Sequence, residues 1–449
     1  MKSKVLFSNP PWWTTGEHGE LRAGIRAGSR WPFTMPTNSR PDNPAANEYN
    51  CYPMFMGFAA AYCAQHANAE VIMRDSLARR ESYETYLNYI AKAQPDFVVI
   101  ESATPSWEHD KHVCRLIKEA HPPANIIITG TITTTRHDEI HGLGYSAILG
   151  EYEKGVVVAI NCILDGALWY HCDHMIMSAE EMNAAPIPMY DEPYALTYFD
   201  ACPTGQESPE LVLWTSRGCP YKCCFCAWPA VMTNNDPDGN SPRKVRFYTP
   251  EYIERWIRAR LEKNPGIKSI RLDDDTMNLG DKHTLGICEA MKRIGLPWSA
   301  MCRADTVKLS TWQAMKDSGC FGVKIGMESG SQSVIDKIVN KKLDLGDIEH
   351  RILPHLKAIG LKVHTTWTVG LPGETPPQAN ETLRMIERLY ASGLHQTHQL
   401  SGTATIEGTP LDKIAQGHSL KAYPSATREG FAINGDGQAK IESLSRTLT

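Results

Sequence analysis

The chain lacks the sequence features of exported and membrane-bound proteins. Its N-terminus, MKSKVLFSNPPWW, has too few apolar residues before Ser8 to form the core of a signal peptide. The longest apolar stretch, around Val156 to Tyr170, is interrupted by Asn161 and Asp165 and is therefore too polar to cross a bilayer. We expect a soluble, cytoplasmic protein that has no membrane partner.

Clustered positive charge is also missing. The formal net charge is -5, and the 46 Lys and Arg residues are scattered along 449 positions, so the sequence does not predict binding to nucleic acid. A small-molecule or peptide substrate suits this composition better. The apolar and charged fractions, 42% and 22%, are those of ordinary globular proteins. The length exceeds what one hydrophobic core usually serves and predicts two domains.

A disulfide framework is not expected, because thirteen cysteines are an odd number in a chain without an export signal. Most cysteines stand singly among apolar neighbours, where a thiol behaves as a small hydrophobic group. These single residues are Cys51, Cys63, Cys114, Cys162, Cys288, Cys302 and Cys320. The sequence RGCPYKCCFCAWP differs from them, because it clusters Cys219, Cys223 and Cys226 in CxxxCxxC spacing.

The first part of the chain alternates short apolar strands with helical patterns. The predicted strands are Lys4–Ser8, Val71–Arg74, Phe97–Glu101, Ile126–Thr129 and Ala147–Leu149, and the predicted helices are Met54–Gln65, Tyr83–Ala93 and Lys111–Ala120. This α/β alternation predicts a doubly wound parallel sheet over residues 1–185, with a ligand site beyond the carboxyl ends of its strands. A segment rich in Pro and Tyr follows, and we interpret residues 186–208 as a linker.

Strands and helices alternate again after the linker. The predicted strands are Leu211–Ser216, Ser269–Leu272, Trp298–Arg303, Gly322–Met327 and Val363–Val369, separated by helices at Tyr252–Lys263, Lys282–Ile294, Trp312–Ser318 and Leu345–Ile359. Five or six such units predict a partial or complete β/α barrel over residues 209–415, with its chemistry on the loops that follow the strands. Residues 416–449 form a tail whose role the sequence does not indicate.

The clustered cysteines directly follow the first predicted strand of the barrel. Three thiolates within eight residues suit an iron-sulfur cubane, and three ligands for four irons leave one iron open to a substrate methionine group. A zinc knuckle is the alternative, but it needs a fourth ligand such as Cys202 or a histidine, and paired CxxC spacing is absent. Cys224 does not keep the spacing, and we interpret it as a packing residue.

The CxxxCxxC motif, with Phe225 before its third cysteine, resembles the hallmark of the radical S-adenosylmethionine (SAM) superfamily. Four further stretches resemble the second to fifth strands of that family: SIRLDDDTMN, WSAMCRADTV, GVKIGMESGSQ and TWTVGLPGET. The resemblance covers residues 207–411. It implies a 4Fe-4S cluster on Cys219, Cys223 and Cys226, reductive cleavage of SAM, and an external electron donor such as flavodoxin or ferredoxin.

The same resemblance implies a set of SAM-binding residues. They are Asp274, Arg303, Glu328, Ser329, Gly370 and Gly373. Asp274 is favoured within its acidic triplet because alternation along a strand separates it from both neighbours. The alternative is that Asp275 or Thr276 simply caps the next helix. The other residues suit the methionine carboxylate, the ribose hydroxyls and the adenosine, although each could equally be structural.

The first domain resembles the cobalamin-binding domains that precede the barrel in this superfamily. The segment RAGSRWPFT is similar to one found in cobalamin-dependent radical methylases, and ATPSWEHD and LGEYE resemble the exits of their third and fifth strands. The residues implied for cobalamin are Trp12, Arg30, Trp31, Thr104, Ser106, Gly150 and Glu151. The tryptophans could instead bury a long loop.

The cobalt-binding signature DxHxxG is absent after the first strand. Its literal match at Asp281–Gly286 lies on a predicted helix of the barrel, and we interpret it as accidental. The combined features predict a cobalamin-dependent radical methyltransferase that acts on an unactivated carbon. Two alternatives stay open: a radical SAM enzyme that cyclises, epimerises or rearranges its substrate without cobalamin, and an iron-sulfur electron-transfer or binding protein. The catalytic residues, the substrate and the oligomeric state are not predicted.

Overall fold

The computed structural model describes residues 2–15, 21–23, 35–36, 50–104, 106–168, 170–172, 174–192, 194–198, 207–226, 244–403, 406–416 and 432–433. The chain divides into two compact units. Among the described residues, the first unit ends at Tyr198 and the second begins at Glu207.

The first unit is built on a parallel sheet. Its strands are β1 (Ser3–Asn9), β2 (Trp13–Thr15), β3 (Leu21–Ala23), β4 (Met35–Pro36), β5 (Ala69–Asp75), β6 (Phe97–Glu101), β7 (Asn125–Thr129), β8 (Ser146–Ile148) and β9 (His171–Cys172). In the described part of the chain, the parallel strands follow the order β5-β1-β6-β7-β8-β9, and β2, β3 and β4 form a separate antiparallel sheet. The strand order reverses between β1 and β6, which is where ligands bind in sheets of this topology.

Helices follow the strands of this sheet. They are α1 (Met54–His66), α2 (Tyr83–Ala93), α3 (Trp107–Ala120), α4 (Thr133–Gly142), α5 (Glu153–Leu164) and α6 (Ala179–Ala184). Ser82 begins α2 by accepting a hydrogen bond from the Thr85 amide, and Ser178 and Glu181 form a capping box on α6. Apolar side chains of α2 and α3 pack with those of β1, β6 and β7 in one buried core. The predicted doubly wound sheet is confirmed.

Residues that precede Tyr198 pack against the first unit. The Asp191 carboxylate accepts hydrogen bonds from Arg79 Nε at 2.6 Å and from the Asp75 amide at 2.8 Å. The Tyr52 ring stacks on Tyr190 with centroids 4.2 Å apart and meets the edge of Tyr198 at 5.1 Å. The early part of the predicted linker is therefore held by ionic and aromatic contacts.

Strands of the second unit also pair in parallel. They are β10 (Glu210–Leu213), β11 (Ser216–Arg217), β12 (Arg246–Phe247), β13 (Ser269–Leu272), β14 (Trp298–Cys302), β15 (Cys320–Glu328), β16 (Lys362–Val369), β17 (Thr397–Gly402) and β18 (Ala432–Ile433). Within the described residues the order is β10-β13-β14-β15-β16-β17-β18, with β18 antiparallel, and β11 pairs with β12 alone. This sequential order is that of a β/α barrel, and the described strands form a partial one.

The helices between these strands are α7 (Pro250–Lys263), α8 (Asp281–Ile294), α9 (Leu309–Asp317), α10 (Gln332–Val334), α11 (Leu345–Asp347), α12 (Leu353–Ala358), α13 (Pro376–Ala391) and α14 (Pro410–Gln416). π-Helical turns at Ile335–Val339 and Ile348–Ile352 extend α10 and join α11 to α12. Trp298 of β14 and Trp312 of α9 are buried, and Trp298 Nε1 donates to the Ser318 carbonyl at 3.0 Å. In the described part of the chain, no helix is both long and apolar enough to cross a bilayer.

The single cysteines mostly lie in these cores. Five are buried as predicted, namely Cys63, Cys114, Cys288, Cys302 and Cys320. Cys51 and Cys162 are partly exposed instead. Apolar neighbours in the sequence do not ensure burial at these two positions: Cys51 precedes α1, and Cys162 lies in the last turn of α5.

Asp75, at the end of β5, should make the stability of the first unit depend on pH. Burial raises the pKa of its carboxyl from 3.8 to about 7, although hydrogen bonds from Ala78, Tyr198 and Asn9 act to lower it. Because the folded state then binds a proton that the unfolded state has released, stability should fall as pH rises between these two values. Asp75→Asn should flatten this slope in thermal unfolding curves recorded by circular dichroism. The exposed Asp138→Asn control should keep the wild-type slope, and an unchanged slope in Asp75→Asn would refute the assignment.

Candidate active site

The clustered cysteines lie beyond the carboxyl end of β10, on residues 218–226, which we term the cysteine loop. Gly218 has a left-handed backbone, with φ of 92°, and turns the chain from β11 into the loop. Cys219, Cys223 and Cys226 are all partly exposed, and the Cys226 amide donates to the Cys223 carbonyl at 3.2 Å. The cysteines whose side chains the structure describes form no disulfide. The loop thus presents three thiols at the edge of the sheet where barrel enzymes carry their chemistry.

Cys224 anchors this loop. Its side chain is buried and packs against Val334, Val339, Leu371 and Leu411. Its amide donates to the Val339 carbonyl at 3.0 Å, and its carbonyl accepts from the Leu411 amide at 2.9 Å. Burial raises the pKa of the Cys224 thiol to about 12, so it stays protonated. The prediction that Cys224 is a packing residue is confirmed.

Arg303 supports the other side of the loop. Its guanidinium stacks on the Tyr221 ring, 3.7 Å from the centroid. It also donates to Asp305 at 2.6 Å and to the Lys341 carbonyl at 2.7 Å. The Asn278 side chain holds the Arg303 backbone, because it accepts from the Arg303 amide and donates to the Arg303 carbonyl. The guanidinium is therefore charge-paired and faces the cysteine loop.

Glu328 pairs with a lysine that the sequence analysis did not single out. Lys341 Nζ donates to Glu328 Oε1 and to the Gly326 carbonyl, both at 2.7 Å. Burial lowers the Lys341 pKa, but the charges of Glu328 and Cys223 outweigh that effect and raise it overall. Glu328 has a left-handed φ of 67°, a strained conformation for a residue with a side chain.

Asp274 ties the ends of β10 and β13 together. Its carboxylate is buried and accepts hydrogen bonds from Thr215 Oγ1 at 2.9 Å and Ser216 Oγ at 2.6 Å. Helix α8 begins at Asp281 with Gly280 as its N-cap, so the capping alternative for Asp275 and Thr276 is wrong. Those two residues lie near Cys219 instead. Burial first, and then the charge of Asp275, raise the Cys219 pKa to about 11, and Thr276 Oγ1 lies 3.9 Å from its sulfur.

The remaining SAM candidates lie on turns after β15 and β16. Ser329 Oγ is 3.1 Å from Thr382 Oγ1 of α13, so the Ser329 hydroxyl faces that helix. Gly370 and Gly373 have left-handed φ values of 78° and 86°. The Gly370 amide donates to Glu374 Oε2 at 2.7 Å, so a tight turn accounts for these glycines without a ligand.

The cobalamin candidates of the described chain follow the parallel strands of the first sheet. Trp12 comes after β1 and stacks on His109, with centroids 5.4 Å apart. Thr104 and Ser106 follow β6, while Gly150 and Glu151 follow β8. The Ser106 hydroxyl caps the Ala103 amide at 3.1 Å, and Gly150 has a left-handed φ of 70°. Arg30 and Trp31 lie outside the described residues.

The literal DxHxxG match lies in helix α8, as predicted. Burial lowers the pKa of His283 to about 4, and its ring packs 4.3 Å from that of Phe247. His283 Nε2 is 3.0 Å from Thr215 Oγ1. The histidine is part of the packing of the second unit.

Residues 215–386 match the model of the Radical SAM superfamily. The second unit contains a radical SAM domain. This family uses a 4Fe-4S cluster and SAM, and the cysteine loop fits the cluster by donor type and spacing. Among the described residues, no three His, Cys, Asp or Glu side chains close around a single ion. A four-iron cubane is wider than one ion, so it does not require such a group.

The chain is also similar to two named methyltransferases. It is 24% identical over 356 residues to the "uncharacterized methyltransferase PH0819" of Pyrococcus horikoshii, covering 75% of this chain and 73% of that relative. It is 27% identical over 268 residues to the cytidylyl-2-hydroxyethylphosphonate methyltransferase of Streptomyces wedmorensis. The second alignment covers 57% of this chain but only 46% of the relative.

A solved structure shares the fold. The radical SAM methyltransferase TsrM from Kitasatospora setae, with cobalamin and a 4Fe-4S cluster bound, matches with a TM-score of 0.64. The match has 15% sequence identity and covers 93% of this chain and 78% of TsrM. The sheet of the first unit and the partial barrel of the second are thus the fold predicted from the sequence.

Alanine variants should distinguish the three proposed ligand cysteines from Cys224, which anchors the loop. Single replacement of Cys219, Cys223 or Cys226 should reduce bound iron from about four per chain to less than one, because a ligand thiolate is lost. Cys224→Ala should keep about four irons and lose about 1 kcal/mol of stability, because it removes only a buried sulfur. Iron and acid-labile sulfide are measured after anaerobic reconstitution. Equal iron loss in Cys224→Ala and Cys223→Ala would contradict this ligand assignment.

Proposed function

We propose that the protein is a cobalamin-dependent radical SAM methyltransferase that methylates an unactivated carbon of a small-molecule or peptide substrate. The observation that carries this proposal is the presence, in one chain, of a radical SAM domain and a parallel sheet whose strand order reverses between β1 and β6. The names of the relatives and the cobalamin bound to TsrM support it over a radical SAM enzyme that works without cobalamin.

The proposed cluster ligands are Cys219, Cys223 and Cys226. When bound, a 4Fe-4S cluster with one open iron supplies the electron that cleaves SAM into methionine and a 5'-deoxyadenosyl radical. The chain's own part is to hold the loop rigid, through the buried Cys224 and the Arg303 guanidinium on Tyr221. A pre-formed loop reduces the conformational entropy that metal binding has to overcome.

SAM is proposed to lie over the carboxyl ends of β13 to β16. The residues proposed around it are Asp274, Arg303, Glu328, Ser329, Gly370 and Gly373. Asp274 and Arg303 are proposed to hold the surrounding loops in place, because both side chains are already bonded to neighbouring residues. The Gly370 turn and the Glu328 carboxylate, whose Oε1 already accepts from Lys341, lie on neighbouring strand ends and are proposed to meet the adenosine.

Cobalamin is proposed to bind at the reversal between β1 and β6. Trp12, Thr104 and Ser106 follow these two strands, and Gly150 and Glu151 follow β8. Arg30 and Trp31 remain part of the proposed set. When bound, cobalamin would supply a carrier for the methyl group, and the chain's part would come from the partly exposed Thr104 and the buried Trp12, Ser106 and Glu151 at the carboxyl edge of the sheet.

An external one-electron donor such as flavodoxin or ferredoxin is proposed as a partner. The proposed location is the cytoplasm. Its reducing conditions keep thiols available as metal ligands, in keeping with the lack of disulfides among the described cysteines.

Cofactor retention tests this function directly. Anaerobically reconstituted full-length protein is incubated with hydroxocobalamin, desalted, and then supplied with a reductant and SAM that carries a deuterated methyl group. We expect about one corrin and about four irons per chain, deuterated methyl on the corrin, and 5'-deoxyadenosine. The control combines alanine at Cys219, Cys223 and Cys226. It should retain corrin but release no 5'-deoxyadenosine, because the proposed sites occupy different units.

Three outcomes would separate the alternatives. Iron without corrin would contradict the cobalamin assignment and favour a radical SAM enzyme of another reaction class. Corrin and iron without SAM cleavage would favour an electron-transfer or binding protein. Absence of iron from the wild-type protein would contradict the whole proposal.

A further inference from the structure

Lys341 lies against the cysteine loop on a short turn, residues 339–342, that bonds the loop at several points. The Val339 carbonyl accepts from the Cys224 amide at 3.0 Å, and Asn340 Nδ2 donates to the Lys222 carbonyl at 3.2 Å. These contacts flank Cys223 on both sides along the chain. Lys341 follows Asn340 directly, and its carbonyl accepts from the Arg303 guanidinium at 2.7 Å, so the turn that carries it is bonded both to the loop and to the arginine that stacks on Tyr221.

The backbone makes room for the Lys341 ammonium. A Cβ atom at Gly326 would lie 2.6 Å from Lys341 Nζ, so a larger residue there would displace the lysine. Asn340 and Lys342 both have left-handed backbones, with φ of 58° and 56°, as does Glu328. Non-glycine residues rarely adopt this conformation, and several together imply that the surrounding contacts enforce it.

Two ion pairs lie near the loop. Arg303 Nε lies 2.6 Å from Asp305 Oδ1, and Lys341 Nζ lies 2.7 Å from Glu328 Oε1. The side chains of Lys341 and Glu328 are only 11% and 12% exposed, so water screens them weakly. Changes in this second pair should therefore act on a cluster held by the loop, because Lys341 lies on the turn that is bonded to it.

We propose that Lys341 is a positioning residue that raises the reduction potential of the cluster on the cysteine loop, and that Glu328 opposes it. A nearby cation stabilises the additional negative charge of a reduced cluster, and a nearby anion destabilises it. This inference rests on the proposed function only in requiring that the cluster binds to this loop.

Three variants and one matched control isolate the charge. Lys341→Met removes the ammonium but keeps a long side chain, and Lys341→Arg retains the charge. Glu328→Gln removes the opposing carboxylate. The control is Lys342→Met, because Lys342 lies on the same turn but is exposed and donates to the Asp336 carbonyl at 2.8 Å.

The measurement is a redox titration of the reconstituted full-length protein without SAM, followed by electron paramagnetic resonance of the reduced cluster. We expect a more negative midpoint potential in Lys341→Met, a more positive one in Glu328→Gln, and wild-type values in Lys341→Arg and Lys342→Met. Iron content and circular dichroism of each variant accompany the titration.

Two results would overturn the inference. One is a wild-type midpoint in Lys341→Met with a full complement of iron. The other is a shift in Lys342→Met as large as that in Lys341→Met. If Lys341→Met loses its cluster, Lys341→Arg, which keeps the charge, should have the wild-type iron content and midpoint potential. Loss of the cluster in both variants would contradict a role of the charge. Failure of the wild-type protein to bind iron would instead contradict the proposed function.

Discussion

The inward anchor of the cysteine loop is the contact on which the proposed active site depends. Cys224 supplies this anchor by packing among Val339, Leu371 and Leu411, and the partly buried Phe225 packs against the same cluster. Its amide and carbonyl are bonded to Val339 and Leu411, which come from distant parts of the second unit. The loop is therefore fixed only when the strands and helices of the partial barrel are assembled.

Parallel pairing explains why the supporting residues come from so many parts of the sequence. The carboxyl ends of parallel strands meet at one edge, so Ser216 reaches Asp274 and Asn278 reaches Arg303. The same edge brings Glu328 of β15 beside Lys341. These polar contacts are buried, and each carboxylate is matched by a hydrogen-bond donor or a cation, as burial of charge requires.

Much of this fold follows from sequence pattern. The structure has β6, α2 and β13 with the predicted bounds, because their apolar periods are clear and their ends are marked by polar residues. Helix α13 and strand β17 were not individually predicted. The strand, THQLSG, is rich in polar residues that the sheet buries, so alternation does not reveal it.

The candidate site was predictable only in part. The cysteine spacing is a local signal, and it identified the loop. The partners of Arg303 and Glu328 depend on tertiary contacts, so sequence pattern did not identify Asp305 or Lys341. Asn340, Lys341 and Lys342 follow one another as ordinary polar residues, and only the left-handed backbone of Asn340 and Lys342 shows that this turn is constrained. The glycines after β16 were noticed, but the Glu374 carboxylate that organises their turn was not.

The central claim is that the cysteine loop supplies three ligands to a four-iron cluster and leaves one iron for SAM. Electron-nuclear double resonance of the reduced cluster tests it, using SAM labelled with nitrogen-15 in the methionine amino group and oxygen-17 in the carboxylate. Our account predicts hyperfine coupling of both labels to the cluster. A reduced cluster that couples to neither label in the presence of bound SAM would show that the fourth iron is already ligated and would contradict the account.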